Sequence, residues 1–98
     1  MLNPAKLYIM KMSIKLMPPY RRKNDSGEHL IHLEQEITNL EDLAHYLSAE
    51  QGHLFGYALI DSRGMLTAEF IVNGKNATPD TIVNEGDLIT IIPYICGG

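Results

Sequence analysis

The sequence is poor in cysteine and in basic residues, and it has no tryptophan. Cys96 is the single cysteine among 98 residues, so neither an intramolecular disulfide nor a zinc site of paired cysteines can form. Eight lysines and arginines stand against twelve acidic residues, which gives a formal net charge of −4. Because a nucleic-acid partner requires a basic surface, this charge balance argues against one.

Long apolar runs are missing as well. The segment KLYIMKMSIKLM is interrupted by Lys11, Ser13 and Lys15, and it stays short of the roughly 18 uncharged apolar residues that a membrane span requires. We therefore expect no membrane segment and a cytoplasmic location. The length fits a single domain over residues 1–98 with one hydrophobic core, which leaves little room for an enclosed active site.

Alternation of apolar and polar side chains predicts two strands in the first half of the chain. Even positions are apolar from Met10 to Leu16, and odd positions form the inward face from His29 to Ile37. The segment between them, PPYRRKNDSGE, has the composition of a loop, so the two strands are predicted to form a hairpin with a long connection. We interpret the basic triplet Arg21-Arg22-Lys23 as a solvated part of that loop.

One helix is predicted, over TNLEDLAHYLSAEQG. Its apolar residues recur at helical spacing and form one stripe, consisting of Leu40, Leu43, Ala44 and Leu47. Thr38 and Glu41 have the spacing of a capping box at its start. Gly52 lies where a left-handed cap would end it.

The second half is predicted to consist of strands. YALI and MLTAEFIV are separated by a turn at DSRG, and Asn73-Gly74 is a strong turn signal before the loop NATPDTIVNEGD and the apolar strand LITIIPYI. This order predicts an α+β fold in which one main helix covers one face of a mixed sheet. The other face must meet solvent or a partner, and Ile89 and Ile91 are candidates for an apolar docking patch on it.

No pattern of catalytic or metal-binding residues stands out inside the chain. His29 and His32 are expected to point to opposite faces of a strand, and His45 and His53 lie on and just after the helix, so we predict no metal site. Neither a P-loop nor a dinucleotide-binding glycine motif occurs. The chain is therefore predicted to have no enzymatic activity of its own and no bound cofactor.

The terminal pair Gly97-Gly98 follows the last apolar strand by only a few residues. An α-carboxyl group with a pKa near 3.5 is ionised at neutral pH and is a poor electrophile until another enzyme activates it. Two residues without Cβ atoms would let that carboxylate enter a narrow channel in a partner. An idle tail that ends in small residues is the alternative interpretation.

The segments FIVNGKNA and TIVNEGDLITIIP, followed by Gly97-Gly98, resemble the C-terminal half of the ubiquitin-like β-grasp sulfur carriers. That family includes the small subunit of molybdopterin synthase, the thiamine-pathway carriers and the small archaeal modifiers. The resemblance covers about the last forty residues by motif and the remainder by the order of elements. It implies a β-grasp fold in which the first and last strands pair in parallel at the centre of the sheet.

The resemblance also implies a function. Gly98 would be adenylated by an ATP-dependent enzyme of the ubiquitin-activating type and converted to a thiocarboxylate, with sulfur from a donor such as a cysteine desulfurase. That sulfur would be given to a molybdopterin precursor held by the large synthase subunit. The part of the chain inserted into this partner would be a flexible tail over about residues 93–98, comprising Pro93, Tyr94, Ile95, Cys96, Gly97 and Gly98, while residues 1–6 would form a short extension.

Several alternatives remain open on the sequence. Gly98 could be conjugated to lysines of other proteins, as in a ubiquitin-like modifier, or the chain could serve as a thiamine-pathway carrier. A plain interaction domain is the third class. Cys96 is interpreted as a tolerated small residue and not as a sulfur-handling thiol, because no neighbouring residue in the sequence would lower its pKa.

Overall fold

The computed structural model describes residues 9–94, which form one mixed sheet and one main helix. The strands are β1 (Met10–Leu16), β2 (Glu28–Leu33), β3 (Ala68–Val72), β4 (Lys75–Asn76) and β5 (Leu88–Pro93), and the helix is α1 (Leu40–Glu50). The sheet order is β2-β1-β5-β3-β4. Strands β1 and β5 pair in parallel and the other neighbours are antiparallel, so the expected central pairing is confirmed.

The alternation is confirmed in β1 and in β2, although β2 ends at Leu33 and does not extend to Ile37 as predicted. The even-numbered residues of β1 are buried, and so are Ile31 and Leu33 of β2. The register pairs Met12 with Ile31 and Met10 with Leu33, so the buried side chains of both strands lie on the face that α1 covers. The two strands form the predicted antiparallel hairpin with a long connecting loop.

Helix α1 buries the predicted apolar stripe, but its caps differ from the prediction. The side chain of Asn39 accepts a hydrogen bond from the backbone N–H of Asp42 at 2.8 Å, so Asn39 is the N-cap. Thr38 lies one residue earlier, in an extended segment, and its carbonyl accepts a bond from the N–H of Val83. Gly52 is not left-handed and begins a short 3-10 turn that ends at Leu54. Among residues 9–94, no helix has the length and apolarity needed to cross a bilayer.

The predicted strand YALI is largely wrong. Only its last residue, Ile60, makes a strand-like bridge, to Leu66. The turn between them forms as predicted because the Asp61 carboxylate accepts hydrogen bonds from the backbone N–H groups of Arg63 and Met65. The turn at residues 73–74 is confirmed, with both residues in the left-handed region that a tight hairpin between β3 and β4 requires.

The prediction that Ile89 and Ile91 form an exposed patch is wrong, because both side chains are 0% exposed. The parallel register pairs Ile89 with Ile14 and Ile91 with Leu16, which are buried residues of β1. Successive side chains of a strand point to opposite faces. The odd-numbered residues of β5 therefore pack under the helix, and the even-numbered residues, beginning with Leu88, lie on the helix-free face.

Candidate functional site

The tail predicted from the sequence begins at the end of β5. Pro93 is the last residue of that strand and pairs with Ala68 of β3, and the next residue, Tyr94, is 56% exposed. We call Pro93 and Tyr94 the tail base. The other predicted tail residues, Ile95, Cys96, Gly97 and Gly98, lie outside the described residues.

The tail base lies between two neighbouring chain segments. On one side, the backbone N–H of Met17, just after β1, donates to the carbonyl of Ile91 at 3.0 Å. On the other side, β3 begins at Ala68, beside Pro93. The end of β5 is therefore flanked by the loop that follows β1, residues 17–27, and by the segment that precedes β3, residues 52–67. We refer to these two segments as the tail-end loops.

A buried tyrosine joins the two tail-end loops. The Tyr20 hydroxyl lies 3.0 Å from both the carbonyl and the hydroxyl oxygen of Thr67. Since the Thr67 hydroxyl donates its own hydrogen to the Ala58 carbonyl at 2.6 Å, the Tyr20 hydroxyl is the donor to Thr67. Burial raises the pKa of Tyr20, with smaller contributions from the Tyr57 and Tyr94 phenols, so it is a neutral donor. The Tyr57 ring meets the Tyr20 ring edge-on, with centroids 5.6 Å apart.

Hydrogen bonds to backbone carbonyls also connect the same two loops. The Arg22 guanidinium donates to the carbonyls of His53 and Phe55 at 3.2 and 3.3 Å. The N–H of Gly56 donates to the Tyr20 carbonyl at 2.8 Å. Arg22 is exposed, as predicted for the basic triplet, but its guanidinium group also links the first tail-end loop to the second by these hydrogen bonds. The loops thus form one connected surface beside the tail base.

The motif residues at the beginning of β5 have a structural role. Asp87 is 9% exposed, and its carboxylate accepts hydrogen bonds from the Asn84 N–H at 2.7 Å and the Asn73 side-chain amide at 2.9 Å. The Asn73 side-chain oxygen in turn accepts from the Leu88 N–H. The Asn-Gly turn and the Gly-Asp loop are therefore held together by one buried carboxylate.

The helix-free face of the sheet carries exposed apolar side chains. Leu30 of β2 is 57% exposed and Leu88 of β5 is 42% exposed. A groove of about 390 Å³ runs between these strands and is also lined by Lys15 and Glu28, which face each other across β1 and β2. This face combines apolar contacts with both signs of charge, as a protein-binding surface does.

The histidines are not gathered into a site. His29 pairs with Ile14 and His32 with Lys11, so the two imidazoles lie on opposite faces of the sheet. His29 lies 2.9 Å from the Asp25 carboxylate, and the pKa of Asp25 is held below its usual value chiefly by the Gly27 N–H, with His29 adding to the effect. Among residues 9–94, no group of three or more histidine, cysteine, aspartate or glutamate side chains could hold a metal ion.

Three residues of this site, Tyr20, Tyr57 and Thr67, were not predicted from the sequence. Tyr20 lies in a predicted loop, whereas Tyr57 and Thr67 lie in segments predicted as strands, and the contacts join residues up to 47 positions apart. One signal was available: Tyr20 is a large aromatic residue in an otherwise polar loop, where a buried anchor is the usual explanation.

Solved structures of several small proteins have the same fold. The small archaeal modifier protein SAMP1 from Haloferax volcanii superposes with a TM-score of 0.68 at 19% identity, over 90% of this chain and 99% of that one. A putative molybdopterin converting factor subunit 1 from Pyrococcus furiosus gives 0.63 at 19% identity, over 88% and 99%. The complex of subunits 1 and 2 of the molybdopterin-converting factor from Helicobacter pylori matches with a TM-score of 0.52 at 19% identity, over 91% of this chain and 100% of that one.

These likenesses show the ubiquitin-like β-grasp fold. A search of curated proteins finds no match to the chain. The model of the ThiS family matches residues 14–98, which include the last three residues of β1, the tail-end loops, the tail base and the terminal glycine pair. The match covers nearly the whole chain, and the chain belongs to the ThiS family.

Proposed function

We propose that this chain is a sulfur carrier that delivers sulfur as a thiocarboxylate on Gly98 during molybdopterin biosynthesis. The observation that carries the proposal is the family match, which extends through Gly97 and Gly98. The β-grasp fold supports it by placing the strand before these residues at the sheet centre, with an exposed tail base.

The proposed chemistry takes place on the Gly98 carboxyl group, in two steps. First, the carboxylate attacks the α-phosphorus of ATP in the activating enzyme, so that an acyl-adenylate forms and pyrophosphate leaves. Second, a sulfur nucleophile attacks the carbonyl carbon and AMP leaves. Hydrosulfide would give the thiocarboxylate directly, whereas a persulfide on a cysteine desulfurase or similar donor would give an acyl disulfide, whose sulfur–sulfur bond a thiol must then reduce.

In this proposal the chain supplies the carboxyl group that carries the sulfur, and its partners supply the catalytic residues. ATP is bound and consumed by the activating enzyme, which places the reaction in the cytoplasm. Gly97 and Gly98 have no Cβ atoms, so the reacting end can enter a narrow channel of the large synthase subunit. Tyr94, Ile95 and Cys96 precede them, so the mouth of that channel must be wide enough for bulkier side chains.

A second candidate function is protein modification through Gly98. The likeness to the archaeal modifier SAMP1 favours it, because modification needs the same activated glycine. A thiamine-pathway carrier is the further alternative. The segment LIDSRGMLTAEF in the second tail-end loop resembles a hairpin of the longer molybdopterin-group carriers, and this likeness favours the molybdopterin pathway. The two activities of Gly98 differ in their product, a free thiocarboxylate or an amide to a lysine.

The proposed activation is tested with the cognate activating enzyme and ATP. We expect pyrophosphate release with the wild-type chain and none after deletion of Gly97-Gly98 or after one alanine is appended to Gly98. Circular dichroism should show that both variants keep the fold, since residues 9–94 are unchanged. Undiminished turnover of the extended chain would contradict the carrier and the modifier functions together.

The chemical product formed on Gly98 distinguishes a sulfur carrier from a protein modifier. Intact mass spectrometry of the chain from its native cell should show one carboxyl oxygen replaced by sulfur if it is a carrier. Conjugates between Gly98 and lysines of other proteins, with no free thiocarboxylate, would replace the proposal by the modifier function. The same measurement in cells that lack the activating enzyme is the control, and neither product should then form.

We further propose that the helix-free face docks the large synthase subunit. Leu88→Asp should weaken that binding by about tenfold or more, because a charge would replace an exposed apolar contact near the centre of the face. Met65→Asp is the matched control, since Met65 is 57% exposed but follows the turn at residues 61–64 and lies outside the five strands of the sheet. Equal binding by both variants, measured by calorimetry, would place the interface elsewhere.

A further inference from the structure

The strand that leads to the tail is the central member of its sheet. β5 lies between β1 and β3, so its last residues have a neighbouring chain on each side. Within residues 9–94, the last sheet contacts of β5 are the bond from Met17 to Ile91 and the pairing of Ala68 with Pro93. The two tail-end loops flank this end of β5, one through Met17 and the other through Ala68.

Tyr20 holds those loops together by a side-chain contact. Its backbone N–H bonds to the Met17 carbonyl in the turn after β1, and its hydroxyl reaches Thr67, the residue directly before β3. The contact therefore spans the two neighbours of β5 at the end where the tail base begins. Tyr20 is 2% exposed, and the Tyr57 ring packs edge-on against it, so the side chain has little freedom to move.

We propose that Tyr20 is a positioning residue: its hydroxyl bond to Thr67 fixes the direction in which Pro93 and Tyr94 leave the sheet, and so presents the tail to the partner in a narrow range of directions. The inference rests on the proposed function, in which a partner must accept the tail in a channel. Ordering a loose segment at the moment of binding costs affinity, and a preordered base avoids that cost. Tyr20 acts through the tail base and does not touch the reacting carboxyl group.

The test compares two tyrosine hydroxyls. Tyr20→Phe keeps the ring and removes the donor to Thr67, whereas Tyr46→Phe removes a hydroxyl that accepts the Glu34 N–H at 3.3 Å, near the opposite end of the sheet. We expect the KM of the activating enzyme for the carrier to rise about fivefold in Tyr20→Phe, the factor for one net hydrogen bond, with kcat unchanged. Tyr46→Phe should leave both constants as in wild type.

A second measurement does not depend on the partner. The NMR order parameter of the Tyr94 amide should fall in Tyr20→Phe and stay at the wild-type value in Tyr46→Phe, while that of Thr90, inside β5, should not change in either variant. Thr67→Val removes one of the two acceptors and should give a smaller change in the same direction, which keeps the inference testable if Tyr20→Phe folds poorly. An unchanged Tyr94 order parameter in Tyr20→Phe, or an equal change in Tyr46→Phe, would overturn the inference.

The two proposals fail in distinguishable ways. If the wild-type chain releases no pyrophosphate with any activating enzyme, the proposed function fails, and the order parameter of Tyr94 still decides what Tyr20 does to the tail base. If the wild type is activated and Tyr20→Phe has a normal KM together with a normal Tyr94 order parameter, the positioning role of Tyr20 is wrong and the proposed function stands.

Discussion

The two ends of β5 are held by different kinds of contact. At the beginning, the Asp87 carboxylate binds groups from Asn73 and Asn84, all within a short stretch of sequence. At the end, a neutral hydroxyl on Tyr20 reaches Thr67, 47 residues further along the chain. The first end is fixed by a local motif with a charged acceptor, and the second by long-range contacts between loops.

This difference predicts that substitutions at the two ends of β5 act on different properties. A buried carboxylate with two donors is costly to disturb, because its loss leaves those donors unsatisfied. A contact between two surface loops contributes less, and loops are where related proteins differ and where binding residues concentrate. We therefore expect changes near Asp87 to act on stability and changes near Tyr20 to act mainly on the tail base.

The largest effect is expected from Asp87→Ala. Removal of the carboxylate leaves the Asn84 N–H and the Asn73 amide without their acceptor, and should lower the free energy of unfolding by about 3 kcal/mol. Urea denaturation measures this loss. Glu85→Ala is the control, because the Glu85 carboxylate accepts one bond from the Lys11 N–H at an exposed position and should cost much less. Equal losses in the two variants would contradict the assignment of Asp87 as the anchor of this end.

The Asp87 end is also the part of the molecule that the sequence predicts best. The Asn-Gly turn requires left-handed backbone, and Asn73 and Gly74 have it. The alternation in β1 and the apolar stripe of α1 were likewise sufficient to predict which residues are buried, because each element has one face in the single core. The helix caps were displaced because pairing with residues 81–83 holds Thr38 in an extended segment, and local spacing does not contain that information.

Other features could not be predicted from local patterns. β5 is apolar at both odd and even positions, so the sequence alone did not show that Ile89 and Ile91 face the helix while Leu88 faces solvent. That choice depends on the register with β1. The contacts of Tyr20 depend on how two segments far apart in the sequence meet, and only the assembled sheet brings them together. The roles of Gly97 and Gly98 stay predictions.

A middle-sized effect is expected from Gly56→Ala, which breaks the loop contact at the tail end. A Cβ at Gly56 would lie 2.8 Å from the Pro19 carbonyl oxygen, so the two loops would have to move apart. We expect a loss of about 1 to 2 kcal/mol in the free energy of unfolding, the usual size for overpacking a tight contact. The order parameter of the Tyr94 amide should fall as well, because the same loops flank the tail base.

Gly52→Ala is the matched control for this substitution. A Cβ at Gly52 would meet no atom within 4 Å, and Gly52 lies on the same segment four residues earlier. The control should be neutral or slightly more stable, because alanine has fewer unfolded conformations than glycine. A Gly56→Ala protein as stable as Gly52→Ala, with an unchanged Tyr94 order parameter, would mean that the close approach of the loops does not control the tail base.

The smallest effect is expected at Asp25, an accessible carboxylate in the loop that carries Tyr20. Its folded pKa lies below the ordinary value of 3.8, chiefly because the Gly27 N–H donates to it, with the His29 side chain adding to the effect. A lowered folded pKa means that the charged form is favoured in the folded state, so its contribution is present above 3.8 and is lost as the pH falls through the lowered value. Wild type should therefore be slightly more stable than Asp25→Asn near neutral pH, and the difference should shrink in acid.

Urea midpoints of wild type and Asp25→Asn, measured from neutral pH downward through 3.8, test this small difference. Asp61, whose pKa is also lowered, first by the Arg63 side chain, is present in both proteins, so subtraction removes its contribution. Since the Asp25 carboxylate bonds to Gly27 in its own loop and to His29 in β2, Tyr94 should keep its order parameter in the variant. A difference that grows in acid would contradict the lowered pKa of Asp25, and a fall in the Tyr94 order parameter would show that its carboxylate acts on the tail base.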